Sequence, residues 1–248
     1  MEILIFIIVF IAGIIASFIG AIIGGAGLVS IPILVLIGLP PQSAIATSKF
    51  GSFALNIFGW IKYHKENKIN YKIGVSTTLV ATFGAYFGAK ALLIIPEEIL
   101  NKLVGTLLIG TTVLFLINNN TGIRKDHNYQ PYKIFIGYLA IFIVGFWGAF
   151  FGGGFAIFAT YVYILLFNQT FVECAGIKML IGVGISIVSI YVYGINGAIN
   201  WFWGIPLILG ESIGAYIGAG VAVQKGDVWI KKIFIVLIIS TSIKLLFF

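Results

Sequence analysis

Charge is what this sequence has least of. Asp, Glu, Lys and Arg make up 9% of its 248 residues, well under the roughly 25% of an ordinary soluble domain, which excludes that class. Cys174 is the one cysteine, so an intrachain disulfide and a cysteine-based structural metal are excluded as well. The two histidines, His64 and His127, lie far apart in basic connections. No HExxH, paired-carboxylate, Walker or nucleophile-elbow pattern occurs, so neither an enzyme, a metal nor a cofactor is expected, and no ATP drives the protein. Alternation of polar and apolar residues is missing too: runs such as IFIIVFIAGIIASFIGAII (5–23) do not fit a transmembrane β-barrel. The start of the chain has Glu2 and no basic n-region, so its first apolar run is read as a membrane segment rather than a signal peptide.

What the sequence has is hydrophobicity: 60% of residues are apolar, in runs long enough to cross a bilayer. The expected class is an all-α polytopic membrane protein, multi-pass in the lipid bilayer. Segments are expected near 3–23, 26–38, 43–61, 73–95, 99–117, 133–151, 154–167, 171–193, 202–222 and 228–247. Of these, 26–38 and 154–167 are shorter than the roughly 20 residues a perpendicular helix needs, and each follows a glycine cluster. They are expected to be half-helices or hairpins. The net charge of +7 comes from lysines in short connections and is read as membrane topology, with no nucleic acid involved.

A polar stretch, NNNTGIRKDHNYQPYK (118–133), divides the chain. The domains expected are a first repeat at 1–118, a cytoplasmic linker at 119–132 and a second repeat at 133–248. Comparison of the halves supports this division. GAIIGGAG from Gly20 matches GAFFGGGF from Gly148, 128 residues on; Lys49 matches Lys178 at 129; Ile69-Asn70-Tyr71 matches Ile199-Asn200-Trp201, and GAYFGA from Gly84 matches GAYIGA from Gly214, both at 130. Such a period suits the structural repeats of a secondary transporter.

The loops set the sidedness. Lys62, Lys65, Lys68 and Lys72 against Glu66, then Arg124, Lys125 and Lys133 against Asp126, then Lys225, Lys231 and Lys232 against Asp227 mark three cytoplasmic connections. Lys90 to Lys102, balanced by Glu97 and Glu98, and the uncharged stretch Gly194 to Asn200 face outward. These assignments give each half an odd number of crossings. The expectation is two inverted repeats of about five membrane segments each, with both termini outside.

Lys49 and Lys178 are the first candidates for substrate binding. A lysine at membrane depth costs about 2.5–3.5 kcal/mol on insertion scales, so a repeated pair calls for an anion or a water-filled cavity; the alternative is snorkelling to the headgroups. The clusters Gly24, Gly25, Gly27 and Gly152, Gly153, Gly154 can open half-helices whose unpaired N–H groups hold an oxyanion, or can serve close helix packing. Packing is the reading for Gly84, Gly88, Gly214 and Gly218. Thr47 and Ser48, with Asn56 two turns on, can donate to an oxyanion or bond back to their own helix. Glu211, an acid deep in an apolar run with Ala81 as its repeat partner, is a candidate for proton coupling or for an ion pair with a lysine such as Lys178. Glu173 is read as a helix cap.

GAIIGGAGLVSIPILVLIGLPPQSAIATSK (20–49), its basic loop and INYK, together with GAFFGGGF and the later Lys178, resemble the sulfite exporter TauE/SafE family of membrane permeases over essentially the whole chain. The resemblance carries over to Gly24, Gly25, Gly27, Pro32, Thr47, Ser48 and Lys49. The second half departs from that pattern: Thr160 stands near the place of Pro32, and Gly176 and Ile177 replace Thr47 and Ser48. The resemblance implies transport of small sulfur-containing or organic anions, such as sulfite, thiosulfate or sulfonates, across a prokaryotic plasma (inner) membrane. The partners expected are a small anionic substrate and protons as a coupling ion. An anion channel and a non-transport membrane scaffold are the alternatives.

Overall fold

A computed structural model describes residues 2–96, 131–152 and 154–247. The expected segment 99–117 and linker 119–130 lie outside the described residues, as does Gly153. The described chain is helical: α1 (Glu2–Ile23), α2 (Gly27–Leu36), α3 (Pro41–Lys65), α4 (Tyr71–Ile94), α5 (Pro131–Phe150), α6 (Phe155–Leu165), α7 (Phe171–Ile195) and α8 (Trp201–Phe247). Five helices contain stretches long and apolar enough to cross a membrane: α1, α4, Tyr132–Phe150 of α5, α7 and Trp201–Ile230 of α8. The protein is thus a polytopic helical membrane protein. α3 is as long as α7, but Gln42, Thr47, Ser48, Lys49, Ser52 and Asn56 dilute its apolar character.

Local chemistry explains the boundaries. The α1–α2 turn holds Gly24 and Gly25 at φ +92° and +88°, and the α5–α6 turn holds Gly152 and Gly154 at +81° and +75°. This left-handed region is open to glycine without a Cβ penalty. Each turn leads into a short helix of 10 or 11 residues. Pro40 and Pro41 stand at the start of α3, where a missing N–H costs nothing. α7 begins with a capping box, Glu173 N–H donating to Thr170 Oγ1 at 3.4 Å and Thr170 N–H to Glu173 Oε2 at 3.0 Å. α8 is broken at Gly226, φ +74°, between the two segments expected at 202–222 and 228–247.

α3 and α7 cross at the centre in opposite directions. Tyr63 lies against Gly176, Gly59 against Met179, and Asn56 against Gly182. Around them, α1 packs along α8 and α4 along α5. On α8 the missing side chains of Gly210, Gly214 and Gly218 admit the backbones of Phe10, Ile14 and Phe18; on α4, Gly84 and Gly88 admit those of Phe142 and Phe146. Close backbone approach through small residues is how helices associate in lipid, where no hydrophobic force drives them together. The numbers pair across the halves: Ile14 and Phe142 stand 128 apart, Gly214 and Gly84 130. Tyr63 Oη donates to the Ala21 carbonyl and Tyr193 Oη to that of Ala149, both at 2.8 Å. The outward faces carry Ile3, Leu4, Leu79, Phe83, Phe135 and Ile217, all exposed and apolar, as a lipid-facing surface requires.

Candidate functional site

The two glycine turns meet. A side chain at Gly24 would collide with Ala156 at the start of α6, so the first turn sits directly on the second. Between them and the crossing of α3 and α7 lies a cavity of about 30 Å³, room for a water or two. Its walls include Gly24, Gly25 and Gly27 from one turn and Gly152, Phe155 and Ala156 from the other. Lys49, Ser52 and Asn56 face it from α3; Lys178, Gly182 and Ser186 face it from α7.

Each lysine reaches the turn of the opposite half. Lys178 is 3% exposed; its Nζ donates to Thr160 Oγ1 at 2.8 Å and to the carbonyl of Ile23, the last residue of α1, at 3.4 Å. An ammonium at a helix C-terminus meets the negative end of the macrodipole. Lys49 is 6% exposed, and its Nζ lies over Gly152, in the space a side chain there would fill. Among the described residues nothing accepts a hydrogen bond from Lys49 Nζ. The same holds for donors in both turns: the amides of Gly25, Ala26 and Gly27, and those of Gly154, Phe155 and Ala156, donate to no group among the described residues, whereas Leu28 and Ile157 bond back to Gly25 and Gly154. Unpaired N–H groups and a positive dipole end make such turns receptive to anions.

Three sequence candidates lie differently from the expectation. Thr47 Oγ1 accepts from Asn200 N–H at 2.9 Å and so satisfies an amide at the start of α8. Ser48 Oγ pairs with Ser30 Oγ at 2.8 Å, with Ser30 also donating to the Ala26 carbonyl. Neither hydroxyl lines the cavity. Pro32 lies inside α2. Among the described residues Glu211 forms no ion pair with Lys178, two of whose three donors go to Thr160 and Ile23. Its carboxyl is fully buried, with no hydrogen-bond partner among the described residues, and Lys49 is its charged neighbour. The pairing with Lys178 is thereby corrected: Glu211 belongs to the α3 side of the crossing.

Ser52 and Ser186 are not among the residues the sequence points to, and Thr160 is noted there only as standing near the place of Pro32. Ser52 was within reach, since residues 49, 52 and 56 recur at helical spacing on one face. Ser186 stands 130 residues from Asn56, and the two are hydrogen-bonded, Asn56 Nδ2 donating to Ser186 Oγ at 3.1 Å. Thr160 had no such signal, because its role depends on where the Lys178 side chain ends.

Apolar spans enclosing a polar, doubly cationic cavity are the architecture of a membrane transporter. The chain belongs to the sulfite exporter TauE/SafE family, whose family model matches residues 9–245. It is 26% identical over 226 residues to "Probable membrane transporter protein ORF9" of Sinorhizobium sp, covering 91% of this chain and 86% of that relative. It is 25% identical over 231 residues to "Probable membrane transporter protein YfcA" of Escherichia coli (strain K12), covering 92% and 84%. With "Probable membrane transporter protein YdhB" of Bacillus subtilis (strain 168) the identity is 27% over 200 residues, covering 79% and 81%. No solved structure matches.

Proposed function

We propose that this transporter carries a small oxyanion, of the class of sulfite, thiosulfate or a sulfonate, across a prokaryotic inner membrane by alternating access, without enzymatic chemistry. The supporting observation is the meeting of Lys49, Lys178 and two sets of unpaired turn amides at one cavity. Such groups complement a multidentate anion and repel cations, and they replace hydration that the anion loses in the membrane. Gly25 and Gly27 with Ala26, and Gly154 with Phe155 and Ala156, supply backbone donors, whereas the amides of Gly24 and Gly152 bond back to the Gly20 and Trp147 carbonyls and close the turns; Lys49 supplies the charge free to engage; Lys178 adds positive potential while tying α7 to the end of α1. Thr47 and Ser48 shape the start of α3 rather than contact the anion.

The two halves, divided by the linker at 119–132, act as inverted repeats that rock about the cavity. The opposite course of α3 and α7 supports this reading: repeat-related helices that run antiparallel follow from a two-fold axis lying in the membrane plane. A 30 Å³ cavity must widen to admit an oxyanion. Lys49, which has no hydrogen-bond acceptor among the described residues, is the wall that can move.

The test is flux of labelled sulfite and thiosulfate into proteoliposomes. Wild-type protein is expected to show saturable uptake and counterflow, and Lys49→Ala to lose at least nine-tenths of both while keeping its far-UV circular dichroism. Unchanged flux in a folded Lys49→Ala protein removes Lys49 from the site; linear, non-saturating flux without counterflow replaces the carrier with a channel.

A further inference from the structure

Glu211 is an expensive residue that anion binding alone leaves without a use. Its side chain is 0% exposed, and neither carboxyl oxygen has a hydrogen-bond partner among the described residues. It enters the protein through a gap on α3: a Cβ on Gly51 would lie 3.1 Å from the Glu211 carboxyl carbon. On the other side Gly13 of α1 lets the α8 backbone approach, with the Leu207 carbonyl 2.9 Å from where a side chain would start. Charges facing the carboxyl can be enumerated. α1 bears one charged residue, Glu2, at its far end. From α3 the coupled charge is Lys49, while Lys62, His64 and Lys65 stand in its last turn. From α7, Glu173 is in the first turn and Lys178 is held by Thr160 and Ile23. Lys49 and Glu211 are therefore each other's charged neighbour, yet they form no ion pair within 4.0 Å.

We propose that Glu211 is the proton-binding site of the transport cycle and that protonated Glu211 and the anion travel together, one proton with each anion. This rests on the anion-carrier reading of the same cavity. With an anion on Lys49 the ammonium is neutralised, and Glu211 keeps its proton, since an ionised carboxylate without donors is the costlier form. When the anion leaves, Glu211 gives up its proton to the same side and becomes the counter-charge of Lys49, which swings from Gly152 toward Gly51. The empty carrier then returns with its charge internally balanced. For a monovalent anion the net charge of the site is the same in both halves of the cycle; a divalent anion such as thiosulfate crosses with one uncompensated negative charge, which is why the potential is clamped in the test.

Thiosulfate, which stays fully ionised at neutral pH, is the probe. In proteoliposomes at clamped potential, a tenfold proton gradient is expected to accumulate thiosulfate several-fold in wild-type protein. Glu211→Gln mimics the protonated acid, so it is expected to retain thiosulfate exchange but lose accumulation driven by the gradient. Equal gradient response in Glu211→Gln and wild type overturns the inference and leaves the carrier reading standing. Absence of thiosulfate and sulfite exchange in wild type overturns both. If Glu211→Gln neither exchanges nor accumulates, proton uptake by solubilised wild-type protein on thiosulfate addition decides: about one proton per bound anion supports the inference, and none overturns it.

Discussion

At the scale of single residues, two lysines at matching repeat positions hold different posts. Lys178 is engaged by Thr160 and the α1 terminus; Lys49 donates no hydrogen bond to any of the described residues and lies over a glycine. Thr160→Val removes the better acceptor of a buried ammonium and is expected to destabilise by about 1–3 kcal/mol, read as a lower unfolding temperature in detergent with thiosulfate affinity changed less than threefold. Gly152→Ala acts oppositely. A methyl group there occupies the position of Lys49 Nζ, so anion binding by thermal shift is expected to fall at least tenfold. An anion-induced shift equal to that of wild type would place the working ammonium elsewhere. The lysines and glycine clusters were legible because both cost energy in lipid; the loss of Thr47 and Ser48 to structural bonds was not, because a hydroxyl's partner depends on packing from Asn200 and Ser30, distant in sequence.

At the scale of elements, the glycines on α4 and α8 hold the outer pairs together. Gly88→Val would drive a branched side chain into the Phe146 backbone, and overpacking of this kind costs about 1–3 kcal/mol or more. The expected result is a lowered unfolding temperature for Gly88→Val, with Gly218→Val, its repeat counterpart against Phe18, lowered by a similar amount. A neutral Gly88→Val would mean that α4 and α5 do not touch there. Among the described residues, the segment positions, the short helices after each turn and the break near Gly226 could be read from hydrophobicity and glycine placement. The partners of each helix could not: pattern alone does not tell that α1 leaves its own half to pack on α8.

At the scale of the whole molecule, the proposed alternating access requires repeat-related parts mounted upside down around one cavity. Glu66 and Asn196 stand 130 residues apart, each capping its helix with near-identical backbone angles and each exposed. With Cys174 replaced by Ser, Glu66→Cys and Asn196→Cys give single reporters for a membrane-impermeant maleimide on intact cells. The account predicts that Asn196→Cys is labelled from outside and Glu66→Cys only after the membrane is permeabilised. Labelling of both from the same face would contradict it.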